Sequence, residues 1–274
     1  MLKEFDFEDI YIRHGLDENP EPTNHPMHIH SRCEIFFFIS GNVDYLVEGS
    51  RYPLLPASVM IMRPSEAHTA RILNNKKYER FAINFPTSFL SQIDSQNHLM
   101  KPFLERELGK DNFYSEMELD MQLVKKIFTS MIEAKSDEER RFTIHTQLGM
   151  LLYMIYEAFL RRKNQVIENQ PLFSQKVIRY INEHLFEEIT VTSLAEHFNL
   201  SASQFTRNFN KDVGSSPWEY ILRKRLTTAR ELLKKGLTTQ QACYDSGFTD
   251  YSSFYRSYVK YFKESPGESR RKVP

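Results

Sequence analysis

With 274 residues of which 41% are apolar, the chain is long enough to build two packed domains and short for three. A formal net charge of zero argues against a uniformly basic nucleic-acid coat, but the charge is uneven. Residues 171–274 hold 16 Lys+Arg against 11 Asp+Glu and residues 1–170 hold 20 against 25, so a modestly basic module follows an acidic one. No run approaches the ~18 apolar residues of a membrane span, and the acidic N-terminus lacks the apolar core of a signal peptide. Cys33 and Cys243 fall in different halves and suggest no disulfide framework. A cytoplasmic protein with no membrane contact is the expectation.

Residues 17–26 are rich in Pro, Asn, Asp and Glu and read as an extended arm or loop. From Glu34 the pattern turns to strands: an apolar run over 35–39, then Val43, Tyr45 and Val47 alternating with polar residues up to a hairpin turn at Glu48, Gly49 and Ser50. Further strands are predicted over 59–62 and 78–85, and short strands at this spacing indicate a small barrel or sandwich. Near its start the stretch carries His28-x-His30-x3-Glu34 and, later, Pro64-x3-His68. On a strand, residues two apart share a face, so His28 and His30 can converge on one point, and imidazoles with a carboxylate are a set that binds first-row metals. The spacing resembles the first cupin motif, with a shortened second motif at Pro64 to His68 that lacks the usual glycine. That resemblance implies a jelly-roll barrel with an interior pocket lined by His28, His30, Glu34, Phe36, Tyr45 and His68. In metal-binding cupins the matching residues are His28, His30, Glu34 and His68; the alternative is that they shape the pocket without metal. No other cofactor is implied.

Two helices are predicted next, one marked by Leu119, Leu123, Ile127, Met131 and Ile132, the other by a broad stripe of Leu148, Leu151, Leu152, Ile155, Tyr156 and Phe159. The charged stretch 133–141 between them reads as a loop or frayed end. Such helices can pack on the barrel or on their copies in a second subunit. Polar residues and Pro171 mark an interdomain linker at 166–173, separating residues 1–165 from 174–274.

In the last hundred residues one pattern occurs twice. Phe205, Arg207, Phe209, Lys211 and Ser216-Pro217 return 49 positions later as Phe254, Arg256, Tyr258, Lys260 and Ser265-Pro266. Each copy reads as the second helix of a helix-turn-helix, with Ser201 capping the first and its outer face left to Ser203, Gln204, Thr206, Arg207, Asn208 and Lys211. The second copy presents Tyr251, Ser252, Ser253, Tyr255, Arg256 and Lys260. Between them Pro217 opens a long helix through Trp218, Ile221, Leu222, Leu226, Ala229, Leu232 and Leu233 to a stop at Gly236. Ser174 is expected to cap the helix that opens this half.

The ordered set Leu194-Ala195, Phe205-x-Arg207-x-Phe209, Gly214-x-x-Pro217, Arg225-Leu226, Gly247-Phe248, Phe254-x-Arg256 and Ser265-Pro266 resembles the DNA-binding domain of the AraC/XylS family of bacterial transcription regulators. The resemblance covers about residues 174–271 and, with the cupin-like half, the whole chain. It implies an α+β protein of two domains: a cupin barrel with a helical dimerisation segment, and an all-α domain with two helix-turn-helix motifs. It further implies a sequence-specific, non-enzymatic regulator, an activator that contacts RNA polymerase, acts as a homodimer on double-stranded DNA and answers to a sugar or related small effector. Two other readings are a metal-dependent cupin enzyme fused to a DNA-binding module, and an effector-independent DNA-binding dimer. The chain departs from the family pattern at Thr238 and Gln241, where apolar residues are usual, and at Lys263, where glycine is usual. These departures predict a second unit looser than the first.

Overall fold

The computed structural model describes residues 2–7, 9–24, 27–163 and 173–271. Most of the 166–173 linker lies outside the described residues. Ten strands form the N-terminal half: β1 Leu2–Phe7, β2 Ile10–Asp17, β3 Thr23–Asn24, β4 Cys33–Ser40, β5 Val43–Val47, β6 Ser50–Pro53, β7 Ser58–Met62, β8 His68–Ile72, β9 Tyr78–Phe85 and β10 Phe113–Tyr114. They make a six-stranded sheet in the order β1-β2-β9-β4-β7-β10 facing a four-stranded sheet in the order β3-β8-β5-β6. The arm expected over 17–26 begins where β2 ends and contributes the two-residue strand β3; ahead of it Ile10 and Ile12 alternate with Tyr11 and Arg13 and build β2 against β9.

The apolar run on β4 is buried on both sides. Phe36 and Phe38 point between the sheets with Tyr45, Met60, Met62 and Tyr78. Ile35 and Phe37 point outward under α2 (Met121–Glu133) and α4 (Gly149–Lys163), which follow the short α1 (Lys101–Leu104). Phe128 of α2 stacks on Phe81 and Phe37 with ring centroids 5.3 and 5.9 Å apart. The helical stripes are therefore covered within one chain: Leu148, Leu151, Leu152, Ile155 and Phe159 are all buried, so the stripe is not the dimer contact. The stretch read as a loop holds a further helix, α3 (Asp137–Thr143), because Ser136 accepts from the Glu139 amide and three acidic residues fill its first turn. A π-helical turn, Ile144–Leu148, joins α3 to α4.

The C-terminal half is α5 (Phe173–Glu183), α6 (Val191–His197), α7 (Ala202–Val213), α8 (Pro217–Lys234), α9 (Thr239–Asp245), α10 (Tyr251–Phe262) and α11 (Pro266–Arg271). Ser174 lies one residue inside α5; instead of capping it, the hydroxyl donates to the Gly49 carbonyl at 3.1 Å. Trp218 is half exposed rather than part of the α8 core. One apolar cluster, on α5 to α8, holds Phe205, Phe209 and Tyr220 and also takes in Met27, Ile29 and Ala67 from the barrel. A second, on α8 to α10, holds Leu226, Leu233, Ala242, Phe254 and Tyr258.

Thr238 and Gln241 do not sit at apolar positions. They form the capping box of α9, with the Thr238 hydroxyl accepting from the Gln241 amide and the Gln241 carboxamide oxygen accepting from the Thr238 amide. The same device opens α6 (Thr190 and Ser193) and α7 (Ser201 and Gln204), so the start of the second unit is capped as well as the first. Lys263 does close α10 in the left-handed region, at φ 59°, the conformation that favours glycine.

Candidate effector pocket and nucleic-acid interface

His28, His30, Glu34 and His68 come together in the barrel, with one donor atom from each lying within 4.8 Å of the others. Backbone geometry brings them there: His28 forms an isolated antiparallel bridge with His68, and Glu34 opens β4. Both partly fixed imidazoles bond through Nδ1 to a backbone carbonyl, His30 to Arg32 at 2.9 Å and His68 to Glu66 at 2.8 Å. Each carbonyl accepts a hydrogen bond from Nδ1–H, which leaves Nε2 to face the carboxylate of Glu34, at 3.0 Å from His30 and 3.5 Å from His68. Nε2 of His68 is buried with no hydrogen-bond partner. Two imidazole lone pairs converging on a carboxylate call for a positive charge between them. Burial pushes the Glu34 carboxyl up, but contact with His30 and His68 overrides this and holds it well below the usual carboxylate range. Burial pulls His68 down, and Glu34 more than restores it, so the imidazole sits above its ordinary value.

The donor set also fits a divalent first-row metal, which His28, His30, Glu34 and His68 would hold. Such an ion would act as a Lewis acid on an oxygen of a bound molecule. Asn84 orients the ligand carboxylate from outside, donating to Glu34 at 2.7 Å.

A cavity of about 510 Å³ opens beside this cluster and is lined by His28, His30, Glu34, Phe36 and Tyr45; His68, expected on the same wall, is buried behind them and does not line it. The sequence reading missed Arg13, Tyr78, Arg80 and Asn84, and it missed Arg223, which belongs to α8 in the other half. Tyr78, Arg80, Ala82 and Asn84 share one face of β9, and that period-two set was a signal open to reading. Nothing local marked Arg223.

The two halves meet around the same segment. Ile29 lies between the two pocket histidines in sequence and points the other way; its carbonyl accepts from the Tyr261 hydroxyl at 3.1 Å. Arg223 donates to the Met27 carbonyl and pairs with Glu219 at 2.5 Å. Lower down, the β5–β6 turn places Glu48 at φ 46° and Gly49 at φ 76°, a two-residue turn of the kind that favours Gly at its second position. Glu48 is buried and accepts from the Ala67 amide at 2.8 Å, from Lys224 at 2.6 Å and from the Tyr220 hydroxyl. Lys224 donates in addition to the Ser65 carbonyl at 2.6 Å.

On the outer face of the helical half, Ser203, Gln204, Arg207 and Lys211 of α7 are exposed, and Thr206 and Asn208 are half-buried. Gln204 has its carboxamide oxygen committed to the Ser201 cap, leaving only the amide group to reach outward. A shallow concavity beside Arg207 is also lined by Asn210, which the sequence reading passed over. The far end of α7 is held to the barrel by Arg71, which donates to the Lys211 carbonyl at 3.0 Å. On α10, Ser252, Ser253, Tyr255, Arg256 and Lys260 are exposed, whereas Tyr251 is half-buried with its hydroxyl donating to Thr239. Arg256 reaches Ser253 at 3.3 Å; Arg207 has no hydrogen bond or ion pair among the described residues.

A model of the AraC-like ligand binding domain matches residues 15–148, and a helix-turn-helix domain model matches residues 194–272. The chain belongs to the AraC family of transcription regulators. This AraC-family chain is 23% identical over 249 residues to the HTH-type transcriptional activator RhaS of Enterobacter sp. (strain 638), covering 90% of this chain and 87% of that one. It is 22% identical over 236 residues to the uncharacterized HTH-type transcriptional regulator YbfI of Bacillus subtilis, covering 83% and 80%. Among solved structures, ToxT from Vibrio cholerae aligns over 97% of this chain and 99% of its own, with 12% identity and a TM-score of 0.42. The family makes this chain an effector-responsive, DNA-binding transcription regulator and not an enzyme. Among the described residues no helix is long and apolar enough to cross a membrane.

Proposed function

We propose that this regulator binds its effector in the barrel cavity beside His28, His30, Glu34, Phe36, Tyr45 and His68, and passes the event to the DNA-binding half through the Met27–His30 segment. One observation carries this reading: His28 and His30 face the pocket while Met27 and Ile29, alternating with them, are buried in the helical half's core and bonded to Arg223 and Tyr261. A ligand that moves the histidines must move the intervening residues, which is the differential contact that linkage requires. The regulatory unit spans residues 1–165, the linker 166–173 and the DNA-binding unit 174–274.

On double-stranded DNA, α7 and α10 enter successive major-groove segments, about one turn or ~34 Å apart. Arg207 and Arg256 donate to guanine or phosphate, and Ser203, Gln204, Thr206, Asn208, Tyr251, Ser252, Ser253 and Tyr255 add contacts, with Lys211 and Lys260 on phosphates. The protein acts in the cytoplasm as a homodimer and activates transcription through RNA polymerase; RhaS, to which the chain is similar, is named a transcriptional activator. With the main stripe of α4 covered, its outer row of Met150, Tyr153 and Leu160, all exposed, is the surface left for the second subunit. Footprinting on the DNA flanking its own gene tests the reading: Arg207→Ala and Arg256→Ala should each weaken protection, and undiminished protection in both overturns it.

A further inference from the structure

The cavity wall opposite the histidines is cationic. Arg13 of β2 and Arg80 of β9 line it, and neither makes an ion pair with a carboxylate among the described residues. Nε of Arg13 is buried with no hydrogen-bond partner, a cost of a kind that folded proteins rarely leave uncompensated. Arg80 is held in place by its surroundings. Its guanidinium carbon lies 4.5 Å from the Tyr78 ring centroid, and across the β2–β9 pairing it occupies the space over Gly15, where an added Cβ would meet Nη1 at 2.8 Å. Asp17 and Glu21 line an adjoining cavity with both arginines, yet neither forms an ion pair with them. From the other half, Arg223 reaches the same pocket while paired with Glu219. The one carboxylate in the pocket, Glu34, is already bonded to His30 and Asn84.

We propose that this pocket is built for a small metabolite bearing an oxyanion, a carboxylate or phosphate ester, gripped by Arg13 and Arg80 of the barrel and reached by Arg223 of the DNA-binding half. The proposal rests on the effector-pocket reading and specifies its ligand class. Planar guanidinium forks match carboxylate and phosphate oxygens, and a desolvated site strengthens such bonds. Phe36, Tyr45 and Tyr78 supply an aromatic wall for the body of the ligand, and a cavity of about 510 Å³ suits a molecule of metabolite size. An anion drawn to Arg223 competes with Glu219 and the Met27 carbonyl for its guanidinium, so the same ligand acts on the contact between the halves. A neutral sugar would leave the half-buried Arg13 and Arg80 of the pocket wall without a counterion.

The test is thermal unfolding of the full-length protein in inorganic phosphate, in gluconate and in glucose, each at 20 mM, against potassium chloride of matched ionic strength. Phosphate or gluconate should raise the midpoint by a few degrees beyond chloride, and glucose should not. The rise should survive Arg207→Ala, which separates the pocket from phosphate-binding groups on the DNA face, and should vanish in Arg13→Gln and Arg80→Gln. Gly15→Ala, which displaces Arg80 without removing a charge, should reduce it. A rise of equal size in every variant, or none with either anion, overturns the proposal. A rise with glucose alone that Arg13→Gln abolishes keeps the effector pocket and overturns the anionic class. Circular dichroism in chloride establishes that each variant is folded; should Arg13→Gln fail there, Arg80→Gln and Gly15→Ala decide.

Discussion

The bond between Glu48 and Lys224 gives a direct measure of how firmly the two halves are joined. Glu48 sits at a hairpin tip and Lys224 in the middle of α8, 176 positions apart, and their side chains are 0% and 5% exposed. Lys224→Met removes the cation and leaves Glu48 with only the Ala67 amide and the Tyr220 hydroxyl to stabilise a buried carboxylate. Breaking a buried pair from one side costs about 3–5 kcal/mol, several times the ~0–1 kcal/mol of a surface pair. Glu48→Gln should be milder than that, since its carboxamide keeps an acceptor for Lys224, which also retains the Ser65 carbonyl. The double variant Glu48→Gln with Lys224→Met removes both charges and should cost less than the sum of the singles by about 2 kcal/mol, within the range of couplings between contacting residues. Urea unfolding read by far-ultraviolet circular dichroism, and in parallel by the single tryptophan, Trp218 at the start of α8, provides the cycle. A Lys224→Met cost below about 1 kcal/mol together with additivity in the double variant would refute the view that this pair is buried and binds the halves together.

Other consequences are open to simpler assays. Arg207→Ala should weaken binding to a cognate site by about 1–3 kcal/mol, read by fluorescence anisotropy, with Lys211→Ala reducing instead the dependence on salt. Thr238→Val removes the α9 capping box and should cost about 1 kcal/mol in chemical denaturation; no cost would restore the apolar reading of that position. Lys263→Gly relieves a left-handed cap at φ 59° and should raise stability by up to ~1 kcal/mol. Protein stripped with chelator and given Zn²⁺ should gain thermal stability that His30→Ala combined with His68→Ala removes; no gain would mean that the four residues shape the pocket without metal.

The sequence by itself determined the elements and their kinds. The Phe205-x-Arg207-x-Phe209 pattern and its repeat at Phe254 decide which face of each helix is buried, because a 3.6-residue period leaves aromatics three to four residues apart on one side. His28 and His30, two apart, face one way as the spacing implied, although an isolated bridge with His68 holds them rather than a regular strand, and Glu34 joins them from the start of β4. Where the sequence misled, its local pattern had two physical meanings. Thr238 and Gln241 look like polar intruders until the helix start between them is known, and the apolar row on α4 fits a barrel face as well as a second subunit. Only the tertiary structure decided which charges meet. Arg13 and Arg80 become neighbours through the pairing of β2 with β9, and Arg223 and Lys224, adjacent in sequence, part to serve the pocket and the Glu48 latch. Long-range electrostatics depends on distances set by packing, and no local period encodes them.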